Sequence, residues 1–193
     1  MHSKINEILK EIEKKKKELI KEYEELMKTY SFYIDGKKVI FSKKTRQYNK
    51  NFKQGLFKYI FNAKIRHLLS APFIYAVAIP SFILDIFLFV YMHVAFRLYG
   101  IPIVKRSDYI IFDRKYLDYL NIIQKVNCLY CSRVNGLFSY AVEIAGRTEK
   151  YWCPIKASRD IRGGHKRQKH FADYGDPEGF KECFNKNDIF YKD

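Results

Sequence analysis

The chain has 193 residues, enough for one compact domain with additional segments but too few for two domains of ordinary size. Its 36 Lys and Arg against 21 Asp and Glu give a formal net charge of +15, so we expect an anionic partner, either nucleic acid or the cytoplasmic leaflet of a membrane. Because no apolar signal-peptide core follows Met1, we expect a reducing compartment and no structural disulfides.

Residues 1–31 carry a repeat that is typical of one long helix. Positions on one side recur at alternating spacings of four and three residues, at Ile5, Leu9, Ile12, Lys16, Leu19, Tyr23, Leu26 and Tyr30. This spacing predicts an amphipathic or coiled-coil helix. Two interpretations stay open: a solvated helix that lies on its own domain, or a homodimer through residues 5–30.

Residues 32–67 combine a turn signal with a basic stretch. Two β-prone runs flank Asp35-Gly36, which predicts a small β-hairpin. Lysines interleaved with aromatic residues follow, and an apolar side through Phe52, Leu56 and Ala63 predicts a helix in the headgroup layer of a membrane. The alternative is binding to nucleic acid, with lysines on phosphates and aromatic rings stacked on bases.

The segment 68–99 is the most apolar part of the chain. Between Leu68 and Phe96 the only ionisable side chains other than tyrosine are Asp85 and His93, and a helical membrane span needs about 20 apolar residues. The segment is too short to cross twice. A single span and a re-entrant hairpin with Pro80 at its midpoint stay open. The even distribution of basic residues at the two ends favours the hairpin, or a helix buried against partner chains. A buried helix in a soluble core is the remaining alternative.

Both flanks of this segment are basic, with net charges of +10 before Leu68 and +6 after Phe96. Basic side chains close to a bilayer are attracted to its anionic headgroups. We therefore predict contacts with anionic lipid at Lys53, Lys58, Lys64, Arg66, Arg97, Lys105 and Arg106.

Asp85 and His93 are candidates for a polar site within the membrane. They lie eight residues apart, on roughly the same side of a helix, and such a pair suits proton transfer or ligand binding. The alternative is structural, because a buried Asp needs a partner. That partner would be Ser81, Tyr91, or a basic residue near the interface such as Arg97 or Lys64.

Residues 100–193 contain all four cysteines, and Cys128-Leu129-Tyr130-Cys131 has the spacing of a metal-binding loop. Cys153 begins what resembles a second loop, but Lys156 stands where a fourth cysteine ligand would be. A zinc site, with iron as the alternative, would use Cys128, Cys131 and Cys153. Its fourth position would be filled by His165, His170 or Cys183, or would stay open for water. Buried thiols or a redox-active Cys128–Cys131 pair are the alternatives.

Two glutamates follow the cysteine pair. Glu143 and Arg147 are spaced as an ordinary surface pair on a helix. Glu143 or Glu149 would be the candidate catalytic acid or base if either approached a metal-bound water. We expect a helix from Phe112 to Asn127 that Asp113 caps or starts. Breaks are expected at Asn135-Gly136 and at Gly146, and the second would return Cys153 toward Cys131.

The segments Asn127-Cys128-Leu129-Tyr130-Cys131 and Arg147 to Lys156 (Arg-Thr-Glu-Lys-Tyr-Trp-Cys-Pro-Ile-Lys) resemble a family of uncharacterised bacterial membrane-associated proteins. The resemblance covers roughly residues 70–180. It implies membrane association and a cysteine cluster, but no activity. Ala157 stands where members of that family often have His.

Together these patterns predict a mainly α-helical protein with a long N-terminal helix, a small hairpin, one membrane segment and a small helical cysteine-containing domain. The predicted function is a scaffold or accessory protein on the cytoplasmic side of the cell membrane, with a cysteine-coordinated zinc site. A metal- or thiol-dependent membrane enzyme acting on an amphiphilic substrate, and a nucleic-acid-binding protein, are the two alternatives.

Overall fold

The fold is mainly helical, with one small antiparallel hairpin. A computed structural model describes residues 2–36, 38–159 and 161–185. The chain forms two compact units: Met1–Asn62 with Asp113–Val126, and Ala63–Phe112 with Asn127–Asp193. The tail of the predicted domain 100–193 after residue 185 lies outside the described residues.

The first unit begins with helix α1, His2–Thr29, followed by strands β1, Phe32–Asp35, and β2, Lys38–Phe41. The strands pair in antiparallel register from Phe32 opposite Phe41 to Asp35 opposite Lys38. Gly36 has φ 57°, which a tight turn needs and glycine adopts without strain. The predicted long helix and the predicted hairpin are therefore both confirmed.

The basic stretch after the hairpin forms two short helices, α2, Lys43–Lys50, and α3, Leu56–Phe61. The helix expected from Phe52 to Ala63 is therefore present only over the six residues of α3. Ser42 accepts a hydrogen bond from the Thr45 amide and so caps α2. The Asp118 carboxylate binds Arg46 of α2 at 2.9 Å, and this hydrogen bond holds the pKa of Asp118 below its ordinary value.

The second unit begins with α4, Ile65–Ala76, α5, Ala78–Tyr91, a π-helical turn, Met92–Phe96, and α6, Arg97–Tyr99. These elements form one helix of 35 residues, Ile65–Tyr99, called the apolar helix below. The predicted re-entrant hairpin is wrong because the chain does not reverse at Pro80. Pro80 lies in the first turn of α5, where its missing amide hydrogen is not needed.

Helix α7, Ile122–Trp152, is continuous for 31 residues. The expected helix from Phe112 to Asn127 is wrong over its first ten residues, which hold a short 3₁₀ turn, Arg114–Tyr116. The start of α7 is set instead by a capping box. Asn121 and Gln124 each accept a hydrogen bond from the other's amide at 2.9 Å.

The predicted breaks at Asn135-Gly136 and at Gly146 are also wrong, because α7 is continuous through both. Gly146 and Gly136 both lie inside the helix, at points where another segment touches its backbone. A Cβ atom on Gly136 would lie 2.6 Å from the Tyr109 carbonyl oxygen, and one on Gly146 would lie 2.5 Å from the His165 ring. These glycines therefore permit close packing and do not end the helix.

The core of the second unit lies between the apolar helix and α7. Its buried members are Met92, Phe96, Ile101, Val104, Ile110, Leu137, Tyr140 and Ile144. After α7 the chain forms an isolated bridge between Ile155 and Ala172, a 3₁₀ turn, Lys166–His170, and helix α8, Pro177–Asn185.

Candidate membrane-binding surface

One side of the apolar helix is apolar and exposed along its whole length. Only 11% of its most apolar 18-residue stretch is buried, and Phe73, Phe87 and Leu98 are 80%, 69% and 78% exposed. This side, called the apolar face below, consists of Leu68, Leu69, Phe73, Ile79, Phe82, Ile83, Ile86, Phe87, Val90, Val94 and Leu98. Within the described residues, this is the one helix whose length and composition suit a membrane span.

The opposite side of the same helix is buried against its own unit. Ser81, Asp85, Met92 and Phe96 are each less than 8% exposed. Residues spaced by three and four share a side of a helix, so these four form a continuous stripe. The Met92 sulfur accepts hydrogen bonds from the Val104 amide at 3.3 Å and from the Tyr140 hydroxyl at 3.4 Å. A core helix of a soluble protein would be buried on both sides.

Helix α7 runs beside the apolar helix in the same direction. Contacts advance together along both chains: the Tyr130 hydroxyl donates to the Ile74 carbonyl, the Tyr91 and Thr148 hydroxyls lie 2.9 Å apart, and Tyr99 packs edge-on against Trp152. At 1.5 Å per residue, this shared length from Ile74 to Tyr99 is about 38 Å.

Asp85 is held by two arginines from outside the apolar helix. Its carboxylate accepts hydrogen bonds from Arg106 at 2.5 Å and from Arg133 of α7 at 3.1 Å. The prediction that Asp85 needs a partner was sound, but none of the predicted partners binds it. The Ser81 hydroxyl donates instead to the Ala78 carbonyl at 2.8 Å. The sequence gives no sign of Arg133, which is brought in only by the packing of α7.

His93 does not join Asp85. Its Nδ1 lies 2.8 Å from the Phe89 carbonyl oxygen, one turn earlier in the same helix, and its ring packs against the Phe89 ring at 4.0 Å. Eight residues of helix separate the two side chains by about 12 Å. The arrangement supports structural roles for both residues and gives no geometry for direct proton transfer between them.

All seven side chains predicted to contact anionic lipid are exposed. Lys53 and Lys58 belong to the first unit, whereas Lys64, Arg66, Arg97 and Lys105 belong to the second. Arg106 is also in the second unit, but its guanidinium is engaged by Asp85. A lipid phosphate would therefore compete with a carboxylate at Arg106.

The predicted metal ligands are not gathered in this structure. Cys131 lies on α7 and Cys153 directly follows it, so 22 residues of helix place them about 33 Å apart. One ion cannot bind Cys128, Cys131 and Cys153 together in this conformation. Among the described residues, no group of three or more His, Cys, Asp or Glu side chains is placed to hold a metal ion. Zinc or iron binding stays a prediction without a geometry to support it.

His165 and His170, the other predicted ligands, differ in their surroundings. The His165 side chain is 8% exposed, and its Nε2 lies 2.6 Å from a carboxylate oxygen of Glu149. His170 is exposed, and its carbonyl accepts a weak hydrogen bond from the Cys183 thiol at 3.8 Å. The close approach of the His165 ring to Gly146 fixes the loop against α7.

The two candidate catalytic glutamates both form ion pairs or hydrogen bonds. Glu143 accepts from Arg147 at 2.8 Å and from Arg167 at 2.6 Å. Burial raises the pKa of Glu143, but the two arginines lower it by more, so the net shift is below its ordinary value. An acid held ionised by two cations is a poor proton donor or acceptor near neutral pH. Glu149 is bound to His165.

Comparison of the chain with protein-family models, with curated proteins and with solved structures gives no match. Functional interpretation therefore depends on the geometry of the chain itself.

Proposed function

We propose that this protein is a membrane-associated scaffold or accessory protein that binds the cytoplasmic side of the cell membrane through the apolar face. The observation that carries the proposal is the exposure of that face, because single-chain soluble proteins rarely leave so long a continuous apolar surface in water. The formal charge of +15 adds attraction to the anionic cytoplasmic leaflet.

The N-terminal helix supports a scaffolding role. Ile12, Leu19, Tyr23 and Leu26, which belong to the predicted seam, are between 48% and 69% exposed in the single chain. A narrow apolar stripe between charged positions suits a second helix better than a lipid surface. We include in the proposal a homodimer through residues 5–30.

Flotation with phospholipid vesicles tests membrane association. We expect the full chain to float with vesicles that contain anionic lipid, and a Phe73→Gln/Phe87→Gln variant to lose at least ten-fold in vesicle affinity, because two large apolar side chains leave the apolar face. Ile161→Gln is the matched control, since Ile161 is an exposed apolar residue outside that face.

The same experiment separates the proposal from nucleic-acid binding. A chain that stays in the aqueous fraction without detergent, and retains RNA or DNA in a salt-sensitive manner, would overturn the proposal in favour of the nucleic-acid alternative. Lipid binding that the double substitution leaves unchanged would show that the apolar face is not the membrane contact.

A further inference from the structure

The apolar helix is bound along one side to a helix that carries charge. Between Asn127 and Trp152, the part of α7 in the same unit, the ionisable side chains other than tyrosine and cysteine are Arg133, Glu143, Arg147, Glu149 and Lys150. Asp85 binds Arg133, and Glu143 binds Arg147 and Arg167. Any movement of the apolar helix into lipid therefore carries these groups with it, unless the unit comes apart.

A span perpendicular to the membrane conflicts with this packing. Every stretch of about 20 residues within Leu68–Phe96 contains Asp85, and so takes the attached Arg133 with it. A stretch that reaches Phe96 would also take Glu143 into the bilayer, because Glu143 lies one turn of α7 beyond Tyr140, which packs in the shared core. Each such charge near the middle of an inserted helix costs about 2.5–3.5 kcal/mol on translocon scales.

An orientation parallel to the membrane removes the conflict. We infer that the apolar helix lies in the plane of the bilayer, with the apolar face in one leaflet and α7 on the aqueous side. This inference rests on the proposed function and specifies its geometry. An amphipathic element of this kind sinks about 5–10 Å into the boundary between headgroups and acyl chains. Asp85, Arg133 and Glu143 then stay at or above the headgroups.

The basic residues at the two ends of the helix fit the same orientation. Arg66 and Arg97 are exposed on the apolar helix, and Lys105 is exposed shortly after it. Long basic side chains beside an apolar surface reach the phosphate layer while their methylene groups stay in contact with lipid. An anionic phospholipid leaflet therefore matches the face in both apolarity and charge.

A second copy of the chain is a poorer occupant of the apolar face. A two-fold pair brings the same surface of both copies together, so an antiparallel pairing of the helices would place Arg66 near the partner copy's Arg97. A parallel pairing would place each arginine near its own equivalent. Both arrangements bring like charges together, whereas phosphate headgroups neutralise them.

The depth of single tryptophans in vesicles tests the orientation. The chain contains one tryptophan, Trp152, so a Trp152→Phe background allows Phe73→Trp, Phe82→Trp and Phe87→Trp to be measured one at a time. Fluorescence quenching by lipids brominated at different acyl positions reports depth. An in-plane helix predicts equal, shallow depths for the three positions, within about 5 Å of one another.

A spanning helix predicts a different result. In a span, Phe82 lies about 14 Å beyond Phe73 along the membrane normal, and Phe87 lies about 8 Å beyond Phe82. Wherever the bilayer centre falls, the distances of the three positions from it would then differ by at least about 7 Å. That result would overturn the in-plane orientation while leaving membrane association intact. Failure of the background protein to bind vesicles at all would overturn the proposed function and this inference together. A detergent-free dimer whose apolar face is protected from solvent would overturn both as well.

Labelling of thiols in cell membranes gives a second measurement. Cys131 and Cys153 are exposed in the second unit, and Lys14→Cys introduces a thiol before the apolar helix. If the apolar helix lies in the plane of the membrane, the thiols at positions 14, 131 and 153 all react with a membrane-impermeant maleimide added to the outside of sealed inside-out vesicles. If the thiol at position 14 and the thiol of Cys153 were labelled from opposite sides of the membrane, the apolar helix would span it.

Discussion

The apolar helix and α7 lie side by side over about 38 Å and share one core, but the sides that they turn away from that core differ. The apolar helix has one acidic residue, Asp85, on its buried side and a continuous apolar surface on its exposed side. On α7, Arg133 pairs with the apolar helix, and Glu143 and Glu149 pair with residues that follow α7 in the chain. In the proposed function, therefore, the apolar helix supplies the membrane contact, and α7 keeps that helix rigid and limits how deeply it can insert.

The largest expected effect comes from a substitution that tests how closely α7 packs against residues 109–110. Gly136→Ala places a Cβ atom 2.6 Å from the Tyr109 carbonyl oxygen and 2.9 Å from the Ile110 Cα, and neither backbone atom can move aside freely. We expect this overpacking to lower the free energy of unfolding by about 3 kcal/mol, despite the higher helix propensity of alanine. Thermal unfolding in a mild detergent should show Tm lower by about 6–12 °C.

Gly55→Ala is the control for Gly136→Ala. A Cβ atom at Gly55 would have no neighbour within 4 Å, and Gly55 has φ −59°, which alanine adopts readily. We expect its Tm to stay within about 2 °C of the unmodified protein. Equal stability of Gly136→Ala and the unmodified protein would show that α7 is not held against residues 109–110.

A smaller effect is expected from the ion pair that joins the two helices. Asp85→Asn leaves Arg106 and Arg133 without their carboxylate, and hydrogen bonds to charged groups contribute about 1.5–3 kcal/mol each. Because both arginines are partly exposed and can turn to water, we expect a loss near 2 kcal/mol in total, measured as a fall in Tm of about 4–8 °C.

Two further variants make that result specific. Asp108→Asn removes an exposed carboxylate from the same 3₁₀ turn, Arg106–Asp108, and should change stability by less than about 0.5 kcal/mol. Asp85→Asn/Arg133→Gln should cost less than the sum of its single changes, because the two groups share one interaction. Strict additivity would contradict the pairing of Asp85 with Arg133.

Features set by local pattern were predictable from the sequence. Alternating spacings of four and three residues predicted α1, and Asp35-Gly36 between β-prone runs predicted the hairpin. The length and apolar content of its segment predicted the apolar helix. The start of α7 had a readable local signal too, the capping-box pattern of Asn121 and Gln124. The predicted start of this helix was Asp113 instead, so that signal was missed.

Features set by long-range packing were not predictable in the same way. Gly136 and Gly146 read as helix breaks, because a glycine looks the same whether it ends a helix or admits a neighbour. The cysteine cluster depended on the break at Gly146, and a continuous α7 separates Cys131 from Cys153. Likewise, Asp85 signalled the need for a partner, but only the position of α7 beside it selects Arg133.

The smallest expected effect is a pH dependence on the aqueous side of α7. Arg147 and Arg167 hold the pKa of Glu143 below its ordinary value near 4.5, despite the opposing effect of burial. A carboxylate with a lowered pKa in the folded state stabilises the fold above the unfolded-state pKa, and this contribution is lost as pH falls through the folded-state value. The difference in Tm between the unmodified protein and Glu143→Gln should therefore be largest at pH 6–7 and shrink as the pH falls from about 5 to about 3.

The arginine partner gives the sharper version of this test. Arg167→Gln removes one of the two cations that lower the pKa of Glu143, so the folded-state pKa moves up toward the unfolded-state value. The acid-induced loss of stability should therefore be smaller, and should shift so that it is complete at a higher pH than in the unmodified protein. Combining Arg167→Gln with Glu143→Gln should abolish that shift, because no carboxylate remains to titrate at position 143. A shift that persists in the double variant would assign the acid sensitivity to another group, and would remove the Glu143 pair from the forces that hold the loop carrying Arg167 on α7.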